Sequence, residues 1–451
     1  MNRAALLLGF ALLMSPSAAA GQQTLPLEQA IRTALLHNPD MAAAEASASA
    51  AAASRWADWG ALLPTASASA SVGRTEFSTI TFQNPDGTTT VLDEPIDDVN
   101  KNNSTGLNFG LRLGADQFAN LGAGGARREA ADYRLAATSS DVVRRVKVAY
   151  FDALRAQALE GVANRQMDAR RQDFEITRDR YRIAAASRSD LLGAEIDLRN
   201  AELRAMDAAD AFVAAVRELR ATLGQDVSAV EAEDLLLVDP QRIPDAGSLD
   251  ADGLVAAARS SNPDLRALAA DERAASASVW SARASYLPTL NFGLNLGRGR
   301  QVGADESLFT FSPANTSQSV SISASWALFN GFQRKRQTAE ASSQLVQARA
   351  NLTSGELRIE REIRDLVDRL QRRSRRLEML ERNAELAEER LGLARDQYRI
   401  GSIAYFNLQQ AIESLDQAQQ DVLVERYELL KDWADLEQRV SVAPPVAVPG
   451  Q

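Results

Sequence analysis

The sequence predicts a mainly α-helical chain that also carries strands of the kind a membrane β-barrel uses, arranged as a helix–strand–strand–helix–helix unit that occurs twice. Three observations lead there: an internal repeat, short segments of two-residue hydrophobic alternation, and helical stretches too long for a globular core to cover.

The repeat is read directly. Leu36-His37-Asn38-Pro39-Asp40 recurs as Ser260-Ser261-Asn262-Pro263-Asp264, displaced by 224 residues, and the same offset carries Leu63-Pro64-Thr65 onto Leu287-Pro288-Thr289. Further on the offset is 217, taking Tyr181-Arg182-Ile183 onto Tyr398-Arg399-Ile400 and Asp190-Leu191 onto Asn407-Leu408. The lost residues fall in a polar stretch, 74–104 against 298–319, where loops absorb length changes cheaply. The repeats are expected at 21–240 and 241–441.

Residues 1–20 read as a secretory signal. Asn2-Arg3 is a positive start, 4–14 is an apolar run, Ser15-Pro16 breaks it, and Ala18-Ala19-Ala20 offers a small-residue cleavage site. The run is shorter than the ~20 residues of a spanning helix. Each unit then opens with an Ala-rich helix, expected at 27–62 and 249–286 and ended by a proline.

Strands follow at 65–73 and 106–113, and again at 289–297 and 320–329. Leu290, Phe292, Leu294 and Leu296 alternate with Asn291, Gly293, Asn295 and Gly297; Val320, Ile322, Ala324, Trp326 and Leu328 alternate with serines. One apolar face and one small polar face over about ten residues suit a transmembrane barrel strand, and equally a soluble hairpin lying on a core.

Long helices are expected at 125–182 and 332–399. At 1.5 Å per residue they extend on the order of 90–100 Å. In the second, Ile359, Ile363, Leu366, Leu370, Leu377, Leu380, Ala384, Ala387, Leu391, Ala394 and Tyr398 recur at spacings of three and four, interrupted at Arg373. That is a coiled-coil seam. The first copy keeps it less well, with Glu160 and Arg170 where the second has Leu377 and Ala387. Arg361, Glu362, Arg369 and Glu388 read as solvated faces. A short turn then leads into returning helices at 191–223 and 408–440. Gly401 suits a helix C-terminus, and Asp190 and Asn407 suit N-caps, a role compatible with gating. Residues 442–451, with three prolines, read as a flexible tail.

Composition closes off other classes. The chain of 451 residues carries 50 Lys+Arg against 60 Asp+Glu, a net charge of −10, which argues against nucleic-acid binding. It has no cysteine and one histidine, His37, so no disulfide, lipidated cysteine or His-based metal cluster is expected, and no catalytic constellation or cofactor site stands out. No later segment is apolar enough for a membrane helix, so a spanning part would have to be a barrel.

The ordered duplicate set resembles the TolC family of outer-membrane efflux and secretion channels from 25 to 441. Most similar are Ala149-Tyr150-Phe151, Trp326-Ala327-Leu328-Phe329-Asn330-Gly331 and the two Tyr-Arg-Ile turns. The resemblance implies a homotrimer in the outer membrane of a Gram-negative-type cell. Four strands from each of three protomers would close a twelve-stranded barrel, continued by a helical tunnel across the periplasm. It implies a periplasmic adaptor (membrane fusion) protein and an inner-membrane pump as partners, with no chemistry performed by the channel. Adaptor contact falls on Ile183, Ala184 and Ala185 and on Ile400, Gly401 and Ser402, the first set lacking the family's glycine. The periplasmic gate falls on Asp190, Tyr398, Asn407 and Gln410; the family's gate arginine is replaced by Ile403, and Asn407 and Gln410 stand where TolC has aspartates. Neutral amides there imply weaker cation binding at the entrance. The rival reading is a periplasmic coiled-coil adaptor or a secreted structural protein, against which the two strand–loop–strand units speak.

Overall fold

In the computed structural model, residues 23–76, 80–92, 99–226, 235–239, 243–302, 307 and 315–441 are described; the expected signal, the junction between repeats and the expected tail lie outside them. The elements run β1 (Gln23–Leu25), α1 (Leu27–His37), α2 (Pro39–Gly60), β2 (Thr65–Glu76), β3 (Ile80–Gln83), β4 (Thr89–Leu92), β5 (Val99–Leu113), α3 (Ala115–Arg182) and α4 (Arg188–Thr222). Then follow β6 (Leu235–Leu237), α5 (Ala251–Ser261), α6 (Pro263–Ala284), β7 (Thr289–Val302), β8 (Thr316–Ser325), α7 (Gln333–Arg399) and α8 (Tyr405–Val440).

The chain forms two compact units, and neither coincides with a sequence repeat. One gathers 45–135 and 263–357; the other gathers the residues up to Ala44, 136–262 and the residues from Arg358 onward.

The unit of 45–135 and 263–357 holds an antiparallel four-stranded sheet in the order β2-β5-β7-β8. Its register puts like with like. Leu113, Leu111, Phe109 and Leu107 lie opposite Leu290, Phe292, Leu294 and Leu296. Leu290, Phe292 and Leu294 of β7 in turn meet Ala324, Ile322 and Val320 of β8, while Ala66 and Ala68 of β2 meet Phe109 and Leu107. One face is therefore apolar across all four strands. The other is built from Ser67, Ser69, Asn108, Gly110, Asn291, Gly293, Ser321 and Ser323. The apolar face is uncovered, with Val320 78% and Ile322 70% exposed.

Several expected boundaries in this unit move: β2 runs on to Glu76, β5 starts at Val99, β7 runs on to Val302 and β8 starts at Thr316. β8 ends at Ser325, so Trp326–Phe329 leaves the sheet; Gly331 and Phe332 both take left-handed backbone (φ 65° and 64°) to reverse into α7, and the Trp326 indole donates to the Tyr286 carbonyl at 3.0 Å. The helix α3 begins ten residues earlier than expected and runs straight through Gly122, Gly124 and Gly125. Glycine costs helix propensity, but here it admits a neighbour: a Cβ on Gly124 would stand 1.8 Å from the Asp58 carboxylate of α2.

In the other unit the long helices pack along the expected seam. Ile359, Ile363, Leu366, Leu370, Leu377, Ala387, Leu391, Ala394 and Tyr398 are all buried. Arg373, the interruption, is met by carboxylates of α8, with Glu425 at 3.1 Å and Asp432 at 2.8 Å. Glu362 and Arg369 are not simply solvated, since they pair with Arg439 (3.1 Å) and Asp432 (3.2 Å). Arg170, which stands where the second copy has an alanine, makes a buried pair with Asp416 at 2.6 Å. β1 and β6, short strands absent from the sequence expectation, pair in parallel. The hydroxyl of Tyr150 ties them, lying 2.8 Å from the Leu25 carbonyl and accepting the Val238 N–H at 2.9 Å.

The opening helix of each copy is two helices, divided at Asn38 and at Asn262. A proline follows each asparagine and pushes it out of helical backbone (ψ 130° and 122°). The freed amides are put to use. Asn38 Nδ2 donates to the Thr222 carbonyl at the end of α4, and Asn262 Nδ2 donates to the Arg439 carbonyl near the end of α8, both at 2.9 Å. The repeated Asn-Pro is thus a clip on the C-terminus of each returning helix. Asn262 is 1% exposed. Its replacement by alanine strands a partly buried carbonyl and is expected to cost about 1–3 kcal/mol in denaturant unfolding. Asn262→Asp, which sets an acceptor against an acceptor, is expected to cost more than Asn262→Ala.

Candidate functional site at the helical turns

Two turns close the helical hairpins of this unit, residues 183–187 between α3 and α4 and residues 400–404 between α7 and α8. Each long helix ends in the same hydrogen-bond pair. Ala184 N–H donates to Tyr181 O and Ala185 N–H to Arg180 O; Gly401 N–H donates to Tyr398 O and Ser402 N–H to Gln397 O. This Schellman arrangement needs left-handed backbone at its pivot. Gly401 supplies it at φ 80°, whereas Ala184 is forced into it at φ 58°. The glycine missing from the first copy is missing from its residue type only; the conformation is kept.

The helix starts differ in the opposite sense. The N-cap of α4 is Ser187, not Asp190: Ser187 Oγ accepts the Asp190 N–H at 3.1 Å, and Asp190 Oδ2 accepts the Ser187 N–H at 3.0 Å, a complete capping box. The N-cap of α8 is Ala404, with no side-chain cap, and Asn407 sits three residues inside. Both expected N-caps are therefore third-position residues, because each helix starts three residues sooner than its apolar pattern suggests.

Behind the turns lies a core of Ala194, Leu391, Ala394, Tyr398, Tyr405, Leu408, Ala411 and Ile412. Tyr398 is buried there, edge-on to Tyr405 at 5.7 Å, and its hydroxyl faces Thr177 Oγ1 at 3.3 Å. Among the described residues no hydrogen bond links Tyr398 to Asp190: each is held by its own neighbours. Tyr405 donates to Asp197 at 2.8 Å; burial first, and then the Asp197 carboxylate, push its phenol well up. Burial likewise lifts the carboxyls of Asp173 and Asp416 above the usual range, against the pull of Arg395 and Arg170.

Asn407 and Gln410 line an open groove of about 480 Å³ between α7 and α8, with Leu386, Arg390, Leu393 and Ile403. Ile183 and Ile400 project from the turns, 75% and 78% exposed, and Ala184, Ala185, Gly401 and Ser402 are exposed beside them.

The sequence reading missed Arg180. From the last turn of α3 its guanidinium lies over the Tyr398 ring, 4.6 Å from the centroid. Nη1 donates to the Tyr398 carbonyl and, at 3.1 Å, to the Arg399 carbonyl, while Nη2 donates to Ala185 O at 3.1 Å. A signal was present: the matching residue of the second copy is Gln397, a break inside an otherwise repeated turn. Among the described residues no group of histidine and carboxylate side chains could hold a metal ion.

The arrangement offers exposed loops, a groove and buried polar ties. The sequence profile of a family described as outer membrane efflux protein matches residues 30–225 and 254–440. The alkaline protease secretion protein AprF of Pseudomonas aeruginosa is 24% identical over 71% of this chain and 66% of its own length. Protein CyaE of Bordetella pertussis is 28% identical over 57% of this chain and 53% of its own. The chain thus spans about half to two thirds of these relatives. Among solved structures, the outer membrane protein VceC of Vibrio cholerae shares the fold, with a TM-score of 0.76, 20% identity, and coverage of 92% of this chain and 95% of that one.

Ala184 holds a conformation that costs an L-residue roughly 1–2 kcal/mol. Ala184→Gly is expected to stabilise the protein by up to about 1 kcal/mol in denaturant unfolding, and Gly401→Ala to destabilise it.

Proposed function

The chain belongs to the outer membrane efflux protein family, and from that premise we propose that it is one subunit of a homotrimeric channel passing substrates from an inner-membrane pump and a periplasmic adaptor across the periplasm and outer membrane. The family and the fold are those of channels rather than enzymes.

A single observation carries the reading: the four-stranded sheet has one continuous apolar face, left exposed, and two edge strands, β2 and β8, each with one side unpartnered among the described residues. In lipid, backbone groups on an open edge are untenable, so closure requires other copies. Three copies contribute twelve strands, their apolar faces toward lipid and their Gly, Ser and Asn faces toward the lumen. The helices support the same assembly. Met379, Leu386 and Leu393 form a heptad stripe on α7, all exposed in the single chain and ready for a neighbouring helix.

In this reading the turns form the periplasmic entrance. The exposed Ile183, Ala184, Ala185, Ile400, Gly401 and Ser402 meet the adaptor, and Asp190, Tyr398, Asn407 and Gln410 belong to the gate. A secreted polypeptide as cargo is favoured over small toxic compounds by AprF, whose name assigns it to alkaline protease secretion. The rival, a soluble coiled-coil adaptor, leaves the apolar sheet face unexplained.

Purification from the detergent-extracted membrane fraction is expected to yield a trimer; a protein that is monomeric and soluble without detergent would overturn the proposal. In planar bilayers, trivalent cations are expected to block the channel weakly, because Asn407 and Gln410 are neutral. The double variant Asn407→Asp with Gln410→Asp is expected to be blocked at a concentration lower by on the order of tenfold or more, which an unchanged blocking curve would contradict.

A further inference from the structure

Arg180 reaches from the first turn to the second, and nothing in the second copy returns the gesture, since Gln397 occupies its place. The carbonyls of Tyr398 and Arg399 belong to the last turn of α7, where the macrodipole is negative; Tyr398 O accepts the Gly401 N–H and has a second lone pair to offer. A guanidinium suits them: its planar fork can reach two carbonyls of α7 and one of the first turn at once, and its face rests on the Tyr398 ring. The second turn is the one that needs outside support, because α8 has no side-chain N-cap while α4 has a capping box.

We propose that Arg180 is the positioning residue that latches the α7–α8 turn to the α3–α4 turn within each protomer and thereby holds the channel entrance closed. The proposal rests on the reading of these turns as the entrance. Opening the entrance separates the two hairpins, so it must withdraw the guanidinium from Tyr398 and Arg399, and the threshold for opening contains the cost of that withdrawal.

The test uses the full-length trimer in planar lipid bilayers. Losing the paired donation and the ring contact is expected to raise the resting open-to-closed ratio of Arg180→Ala by on the order of tenfold. Arg180→Lys keeps the charge without the fork and is expected to fall between Ala and wild type. Arg182→Ala, which removes an exposed arginine paired only within its own helix turn, is expected to gate as wild type does. Trimer melting should change little across all four, since the Arg399 and Ala185 carbonyls released by Arg180 are exposed and the partly buried Tyr398 carbonyl keeps the Gly401 N–H; this separates a latch from a general loss of structure. Wild-type gating in Arg180→Ala, or an equal effect of Arg182→Ala, overturns the latch while leaving the channel reading intact. A wild-type protein that forms no channel overturns both.

Discussion

Every backbone N–H and C=O taken out of water must find a hydrogen-bond partner, and this requirement governs how the four-stranded sheet can be completed. Within the sheet the ladders are complete from β2 through β8, yet the two outer strands each keep an unpaired side. A soluble protein would blunt such edges with charge, proline or a covering loop. Here the strands carry leucine, isoleucine and phenylalanine on one side and glycine, serine and asparagine on the other, in register across all four. The residue choice sets one apolar face against one small polar face, and among the described residues neither outer edge is covered.

The long helices meet a different constraint. A helix of 68 residues has no globular core to lie on, so it is stabilised by a continuous seam. The seam tolerates charge where charge is answered. Arg373 falls in line with leucines and is held by Glu425 and Asp432; Arg170 replaces an alanine and is held by Asp416. Such buried pairs add little net stability but fix which residues face each other, because sliding a helix would leave a charge unpaired.

The two hairpin turns have diverged under a shared backbone. One has a strained alanine and a well-capped outgoing helix; the other has a glycine and an uncapped one. Each lacks what the other possesses. The arginine at the end of α3 spans that difference, so the two turns are not mechanically equivalent even though their hydrogen-bond patterns match.

Periodicity, spacing and turn chemistry made much of this legible in advance. The alternation of Leu290, Phe292, Leu294 and Leu296, the three-and-four spacing from Ile359 to Tyr398, and Gly401 as a helix terminator all depend on neighbours a few residues away, and local pattern records such things faithfully. What pattern could not record was the identity of distant partners. Asn38 and Asn262 looked like helix punctuation, but their amides close helices some 180 residues away in sequence. The long helix was expected to start only at Gly125, because nothing local revealed Asp58 beside Gly124. Arg180 looked like one surface arginine among many. The sequence by itself determined the long helices, the four strands of the main sheet and the apolar side of each, since these follow from backbone period and solvent preference. Only the tertiary structure decided what Asn262, Arg170 and Arg180 do, because a long polar side chain takes its role from whichever carbonyl or carboxylate the fold brings within 3 Å of it.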